Sequence, residues 1–126
     1  MRVLLDTSVL IAEEQGRTIE PRPDEAGISI MTLGELHLGV LMASTGKARA
    51  QRMRTLAGAE ARFEPLPVDR AVVAKFAELV AESRSRGWRP TVVDTLIAAT
   101  AVAHDMPVYT QDAGFDRIAG VEVVQV

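Results

Sequence analysis

The stretch Arg2-Val3-Leu4-Leu5-Asp6-Thr7-Ser8 predicts the fold of this chain, because it joins a buried strand to a helix. Its three apolar residues run without a polar break, as in a strand covered on both faces at the centre of a parallel sheet. The pattern then becomes helical at residues 9–11, and Ser8 is expected to be the N-cap of that helix. Asp6 should therefore lie at the carboxyl end of a buried strand, where open α/β sheets bind ligands. The alternative is that Asp6 is only a turn or helix-entry residue.

The composition predicts an ordinary globular protein and excludes several kinds of chemistry. Of the 126 residues, 48% are hydrophobic and 25% are charged, and we expect a single domain over residues 1–126. There is no cysteine, so disulfides, thiolate nucleophiles and zinc–thiolate sites are excluded. Asp6 interrupts the first apolar run before a signal peptide could form, and no apolar segment reaches the ~20 residues that span a bilayer. We therefore expect a cytoplasmic protein without a membrane partner.

The net charge of -3 argues against a protein that coats nucleic acid, because such proteins are usually basic. It does not exclude a nuclease whose acidic pocket binds a divalent metal. Two groups of arginines are candidate phosphate contacts, with Trp88 as a candidate base-stacking residue: Arg49, Arg52 and Arg54, and Arg84, Arg86 and Arg89. The alternative is that these arginines are solvated and that Trp88 is a packing residue.

Strands and helices alternate along the rest of the chain. Strands are predicted at 28–30, 63–68, 108–109 and 121–124, and helices at 32–43, 47–60, 69–84 and 91–104, with a helical turn near 115–118. The helix at 32–43 is apolar almost all round, so we expect it to be largely buried. The alternation predicts an α/β fold, a three-layer α/β/α sandwich with a central parallel sheet of about five short strands.

Two acids occupy helix faces that are otherwise apolar. Glu35 and Asp94 each share a stripe with apolar or small residues at i+3, i+4 and i+7. A carboxylate on a buried face is costly unless it is paired or binds a metal. The alternative is structural, because Thr32-x-x-Glu35 and Thr91-x-x-Asp94 both match a capping box, in which the acid accepts from the N-cap amide.

Asp112 follows a predicted strand, as Asp6 does, and Asp116 lies four residues later. Asp112 could simply form an Asx turn or cap the short helix that follows, and Asp116 could be solvated. However, acids at the ends of two strands and in the first turns of two helices can converge on one crevice. Such a cluster repels itself unless hard cations such as Mg²⁺ or Mn²⁺ neutralise it, and ligands that are all oxygen favour these ions over zinc.

With these residues identified, the chain resembles the PIN-domain ribonucleases, and in particular the VapC-type toxins of bacterial toxin–antitoxin pairs. The resemblance rests on four motifs in order: Asp6-Thr7-Ser8, Glu35-Leu36-x-x-Gly39, Asp94-x-x-Ile97-Ala98-Ala99-x-Ala101 and Thr110-x-Asp112-x-x-Phe115. Each motif is short, but the ordered set is specific, and the agreement in length and spacing extends over the whole chain.

The resemblance implies a Mg²⁺-dependent endoribonuclease, with Mn²⁺ as a possible substitute. By that resemblance four acids hold the metal, namely Asp6, Glu35, Asp94 and Asp112. Ser8 or Thr110 would support these ligands, and Asp116 competes with Asp112 or shares its place. The metal would polarise the scissile phosphate and lower the pKa of a bound water for in-line attack. The resemblance also implies an RNA substrate, a cognate small antitoxin protein and a homodimer.

Other interpretations fit parts of the same pattern. A PIN-type nuclease that processes RNA without being a toxin would carry the same acids. A phospho-receiver domain also has acids at strand ends, but it needs a lysine near the last strand, whereas Lys47 and Lys75 are both predicted in helices. A haloacid-dehalogenase-type phosphatase would need a second aspartate where Ser8 stands. A non-catalytic, receiver-like interaction module remains if the four acids are only caps.

Overall fold

The apolar run near the amino terminus forms the central strand of a parallel sheet in a computed structural model that describes residues 1–126. The sheet has four strands in the order β2-β1-β3-β4. These are β1 (Arg2–Leu5), β2 (Glu25–Gly27), β3 (Val108–Thr110) and β4 (Val123–Gln125). The predicted α/β class with a parallel sheet is confirmed, with four strands in place of about five.

Five α-helices and one 3-10 helix connect the strands. They are α1 (Thr7–Glu14), α2 (Ile30–Met42), α3 (Gly46–Arg62), α4 (Arg70–Ser85) and α5 (Val92–Ala103), with the 3-10 helix at Ala113–Arg117. Because side chains alternate along a strand, Leu4 packs with residues of α4 and α5, whereas Val3 and Leu5 pack with residues of α1, α2 and α3. The sheet is therefore covered on both faces, which gives the predicted three layers.

Two predicted strands are wrong, for local reasons. The strand expected at 28–30 lies at 25–27, because Ser29 is the N-cap of α2 and its Oγ accepts a hydrogen bond from the N–H of Met31 at 3.0 Å. The segment 63–68 contributes only a single bridge, between Leu66 and Ser29. Leu66 makes both backbone hydrogen bonds of this bridge, so the prolines at positions 65 and 67 face the outer edge, where proline is tolerated and no further strand can pair.

Two further predictions about the helices are wrong. Asp6, and not Ser8, occupies the N-cap position of α1, so that Ser8 already lies in the first turn. Helix α2 is not largely buried, because it packs chiefly on α3 with one stripe that includes Leu36. Its opposite side leaves Leu38, Leu41 and Met42 exposed by 57%, 75% and 74%. The exposed stripe follows the i, i+3, i+4 spacing of one helix face.

The predicted starts of the last two long helices are confirmed. Asp69 is the N-cap of α4, and its Oδ1 accepts from the N–H of Val72 at 3.0 Å. Thr91 is the N-cap of α5, and its Oγ1 accepts from the N–H of Asp94 at 3.2 Å. None of the helices combines the length and apolar character that crossing a bilayer requires.

Candidate active site

The carboxyl ends of β1 and β3 bring the first and last predicted acids together. Asp6 directly follows β1, and its N–H donates to the carbonyl of Tyr109 on β3 at 2.9 Å. Asp112 stands two residues beyond the end of β3. Glu35 on α2 and Asp94 in the first turn of α5 reach the same place, so all four acids line one crevice of about 360 Å³. The sequence predicted this convergence.

Asp6 is held by two hydroxyl groups and is only 4% exposed. Its Oδ2 accepts from Ser8 Oγ at 2.8 Å and from Thr110 Oγ1 at 2.9 Å. Each hydroxyl in turn accepts a backbone N–H, from Gln111 and Asp112 respectively, both at 2.9 Å. Because a hydroxyl has one hydrogen, these contacts fix the direction in which both donate. The second carboxylate oxygen of Asp6 makes no hydrogen bond within the protein and is available to the crevice.

Glu35 is positioned by Thr7, which was not among the predicted site residues. Its Oε1 accepts from Thr7 Oγ1 at 2.6 Å, and Thr7 Oγ1 also lies 3.3 Å from Thr32 Oγ1. The capping box predicted for Thr32 and Glu35 is wrong, because Ser29 caps α2 and Thr32 is inside its first turn. For Thr91 and Asp94 one half of the box is present, namely the bond from the Asp94 N–H to Thr91.

The electrostatics of the crevice couple the four carboxylates. Burial is the main factor that raises the pKa of Glu35, and a hydrogen bond from Thr7 opposes it, while the charges of Asp6, Asp94 and Asp112 raise the pKa further. Burial likewise raises the pKa of Asp94, against a hydrogen bond from Thr91, and the charges of Asp6 and Asp112 add to it. Negative charge is thus concentrated where the protein solvates it poorly.

The donor set of the crevice suits a hard divalent cation. Its carboxylates are all oxygen donors, and its one cationic side chain, Arg17, forms no ion pair with any of them. In the positions described, however, no three Asp, Glu, His or Cys side chains are arranged to hold one metal ion. The residues therefore fit such an ion by type and by charge, and binding it requires the side chains to move closer together.

Asp112 and Asp116 differ in their surroundings. Asp112 lines the crevice and also caps the 3-10 helix, because its Oδ1 accepts from the N–H of Gly114 at 2.8 Å. Asp116 is exposed, lies outside the crevice and accepts from Gln125 Nε2 at 3.2 Å. Asp112 is thus both a helix cap and a residue that lines the crevice.

The predicted RNA-binding arginines are not among the residues that line the crevice. Arg86 pairs with Glu82 at 3.0 Å, while Arg84 and Arg89 line a groove of about 450 Å³ between α4 and α5. The guanidinium of Arg117 stacks 4.1 Å above the ring of Trp88, which favours packing over base stacking for that indole. Arg84, Arg86 and Arg89 stay predictions as RNA contacts.

Four residues that line the crevice were not predicted as site residues, and two of them, Thr7 and Arg17, bear on its chemistry. Thr7 is part of the quoted opening stretch, and its position beside Asp6 was a usable signal. Arg17 lies in a polar loop without periodicity and is linked to Gln111, 94 positions away, by a hydrogen bond of 3.2 Å. Nothing in the local sequence predicts that contact.

Comparison with known proteins gives matches over almost the whole chain. Residues 3–121 match the PIN domain family. Ribonuclease VapC4 of Mycobacterium tuberculosis is 45% identical over 127 residues, which cover 99% of this chain and 97% of that protein. Ribonuclease VapC5 of the same organism is 41% identical over 128 residues, covering 98% and 94%.

Solved structures agree with this result. The crystal structure of VapBC-5 from Mycobacterium tuberculosis, a member of the VapBC family of toxin–antitoxin systems, matches with a TM-score of 0.89 at 38% identity and covers 99% of this chain and 98% of that one. FitAcB from Neisseria gonorrhoeae matches with a TM-score of 0.78 at 29% identity, covering 99% and 97%.

Proposed function

We propose, since this chain belongs to the PIN-domain family of VapC-type ribonucleases, that it is a metal-dependent endoribonuclease and the toxin of a toxin–antitoxin pair. The observation that carries this proposal is the convergence of Asp6, Glu35, Asp94 and Asp112 on one crevice. Relatives named as ribonucleases, at 45% and 41% identity over nearly the full length, support the same activity.

We assign Mg²⁺ to the four carboxylates, with Mn²⁺ as a substitute. When bound, the ion would polarise the scissile phosphate and lower the pKa of a coordinated water. The chain's own contribution is to hold two ligands in place, Asp6 through Ser8 and Thr110, and Glu35 through Thr7. Such supporting hydrogen bonds orient metal ligands and keep their lone pairs directed at the ion. We favour Asp112 over Asp116 as the fourth ligand, because Asp112 lines the crevice.

Three partners belong to this proposal: an RNA substrate, a cognate small antitoxin and a second copy of the chain. The related VapBC-5 structure is described as a toxin–antitoxin system. Two surfaces here are suited to protein partners, the exposed apolar stripe of Leu38, Leu41 and Met42 on α2, and the groove between α4 and α5 that contains Phe76 and Val80. We place the activity in the cytoplasm, where its RNA substrate is found.

Incubation of the purified protein with total RNA tests the activity directly. We expect fragments in millimolar Mg²⁺ or Mn²⁺ and intact RNA when a chelator is added. An Asp6→Asn protein purified in parallel controls for contaminating nucleases, because it loses a proposed ligand but keeps an acceptor oxygen for Ser8 and Thr110. RNA that stays intact with the wild-type protein at every metal concentration would contradict the proposal.

A growth assay distinguishes a toxin from an RNA-processing nuclease. Expression of the wild-type chain should slow growth, and co-expression of the small protein encoded beside it should restore growth. The Asp6→Asn chain should be harmless. Equal toxicity of the two chains would show that the effect is not catalytic, and cleavage without any toxicity would favour the RNA-processing alternative.

A further inference from the structure

A second cavity, of about 580 Å³, adjoins the acidic crevice and shares Arg17 with it. We name it the arginine cavity, because three guanidinium groups line it, those of Arg17, Arg22 and Arg62. Its apolar wall is formed by Leu5, Val9, Ile19, Ala26 and Phe63. The volume falls within the ~300–1,000 Å³ typical of pockets that take small organic groups.

Two of the three arginines carry charge that no acid compensates. Arg62 pairs with Glu13 at 3.1 Å and stacks 4.8 Å above the ring of Phe63. Asp24, the other acid of the cavity, pairs with the amino-terminal ammonium group. Both acids of the cavity therefore already have a cationic partner, and neither pairs with Arg22 or Arg17.

Neither of these two arginines is bound to a carboxylate. Arg22 has no hydrogen-bond or ion-pair partner within the protein. Arg17 donates only to the neutral amide oxygens of Gln15 and Gln111. It avoids an ion pair with the four acids of the crevice it lines, so its charge stays available at the boundary between the two cavities.

A nucleic-acid strand carries both phosphates that could bind the arginines and bases that could contact the apolar wall. When one phosphate of a strand lies in the crevice, the next phosphate must pass over the adjoining surface. A guanidinium group can bind two phosphate oxygens at once, and an apolar wall accepts an unstacked base. A base can reach such a wall only if it is unpaired, which selects single-stranded RNA or loops.

We propose that the arginine cavity binds the nucleotide next to the scissile phosphate in single-stranded RNA, with Arg17 and Arg22 on its phosphates and the apolar wall against its base. The inference rests on the proposed ribonuclease function and adds the subsite that holds the substrate beside the reacting group. Arg22 is the residue to test, because it lies outside the acidic crevice, whereas Arg17 is shared.

The test measures the binding of a fluorescently labelled pool of random-sequence, single-stranded RNA by anisotropy in Mg²⁺. All proteins carry Asp6→Asn, so that the pool is not cut. One phosphate contact contributes about 0.7 to the slope of log affinity against log salt for a single strand, or roughly fivefold in affinity at 0.1 M salt. Arg22→Ala should therefore weaken binding about fivefold and reduce the slope by about 0.7, while Arg22→Lys should restore most of both.

The matched control is Arg70→Ala, which removes the same charge from an exposed position at the start of α4 that lines neither the crevice nor the arginine cavity. Its affinity and salt slope should stay close to those of the parent. Thermal unfolding of each variant confirms that it is folded. Equal weakening by Arg22→Ala and Arg70→Ala would reduce the effect to general electrostatics and overturn the inference.

Cleavage of total RNA by the wild-type chain separates this inference from the proposed function. If the wild type cuts RNA but Arg22→Ala changes neither affinity, salt slope nor KM, the subsite is refuted and the ribonuclease stands. If the wild type neither cuts nor binds RNA, the proposed function fails, and the subsite is refuted with it.

Discussion

Replacing Asp94 with asparagine distinguishes a metal ligand from a helix cap. Asparagine keeps the size, an acceptor oxygen and the bond from the residue's N–H to Thr91 Oγ1, and it removes only the charge. The lost charge lies in the first turn of α5, where an anion stabilises a helix by roughly 0.3–1 kcal/mol. Against this loss stands relief from burial and from the charges of Asp6 and Asp112, which raise the pKa of Asp94.

These two contributions have opposite signs and similar size in the presence of a chelator. We expect the free energy of unfolding of Asp94→Asn to differ from that of the wild type by less than about 1 kcal/mol, which is roughly 5 °C or less in Tm for a chain of this length. The relief should exceed the loss slightly and give a small rise, because four carboxylates line the same crevice.

Added Mg²⁺ should then separate the two proteins. A metal present at 100 times its Kd stabilises the wild type by about 2.7 kcal/mol, whereas a variant that has lost a ligand gains much less. Cleavage of RNA should fall by at least ~100-fold, since loss of a residue that merely supports a ligand already costs 10–100-fold. Thermal unfolding followed by circular dichroism, with chelator and with Mg²⁺, measures the first effect, and digestion of total RNA measures the second.

Asp69→Asn is the matched control for this substitution. Asp69 caps α4 through the N–H of Val72 and lies outside the crevice, so its change should alter neither the response to Mg²⁺ nor cleavage. An Asp94→Asn protein that melts lower by the same margin with and without Mg²⁺, and still cuts RNA, would refute the assignment of Asp94 to the metal.

The other predictions concern the remaining acids and their supports. Thr110→Val removes a hydroxyl that donates to buried Asp6, so it should cost about 1–3 kcal/mol in urea unfolding and lower cleavage 10–100-fold; unchanged cleavage would argue against that support. The pKa of Glu35 is raised from 4.5 in the folded state, so between pH 4.5 and the folded pKa the folded protein binds a proton that the unfolded chain has lost. The free energy of unfolding of the wild type in chelator should therefore fall as the pH rises through this range. The stability of Glu35→Gln relative to wild type should therefore increase over that window, and a difference independent of pH would contradict the shift. Asp112→Ala should abolish cleavage while Asp116→Ala stays close to wild type, and the reverse result would exchange the two residues.

Local patterns in the sequence were sufficient to predict the frame of this molecule. The apolar run before Asp6 forms the central strand, and Asp69 and Thr91, the predicted first residues of two helices, are the N-caps of those helices. The resemblance to VapC-type ribonucleases is confirmed, because it rested on the order of four motifs, which is preserved along the chain whatever its tertiary contacts. Strand-end acids could be placed together because the carboxyl ends of parallel strands share one edge of a sheet.

The errors at Ser8 and in α2 arose where contacts between distant parts of the chain decide the outcome. Serine is a residue type that favours N-cap positions, yet the hydroxyl of Ser8 donates to Asp6 and accepts from the N–H of Gln111, 103 residues away. The apolar content of α2 predicted a buried helix, but no part of this chain covers the stripe that carries Leu41. The strand at 63–68 is a different case, because its two prolines were a local signal against it.

The turn between β1 and α1 explains why two of the four acids in the crevice are held more firmly than the other two. Three successive residues point to three partners: Asp6 to the crevice, Thr7 to Glu35 on α2, and Ser8 to the end of β3. Side-chain hydroxyls thus tie Asp6 to the first turn of α1 and to the end of β3, and tie Glu35 to the first turn of α1.

Asp94 and Asp112 differ in this respect, since the bonds that place them involve mainly their own backbone or a helix cap. Because no three carboxylates are yet arranged to hold an ion, some of them must move when one binds. The less constrained pair should move most, so we expect Asp94 and Asp112 to close on a nearly fixed Asp6 and Glu35. A crystal structure with Mn²⁺ in which Asp6 leaves Ser8 and Thr110, while Asp94 and Asp112 stay in place, would contradict this division of roles.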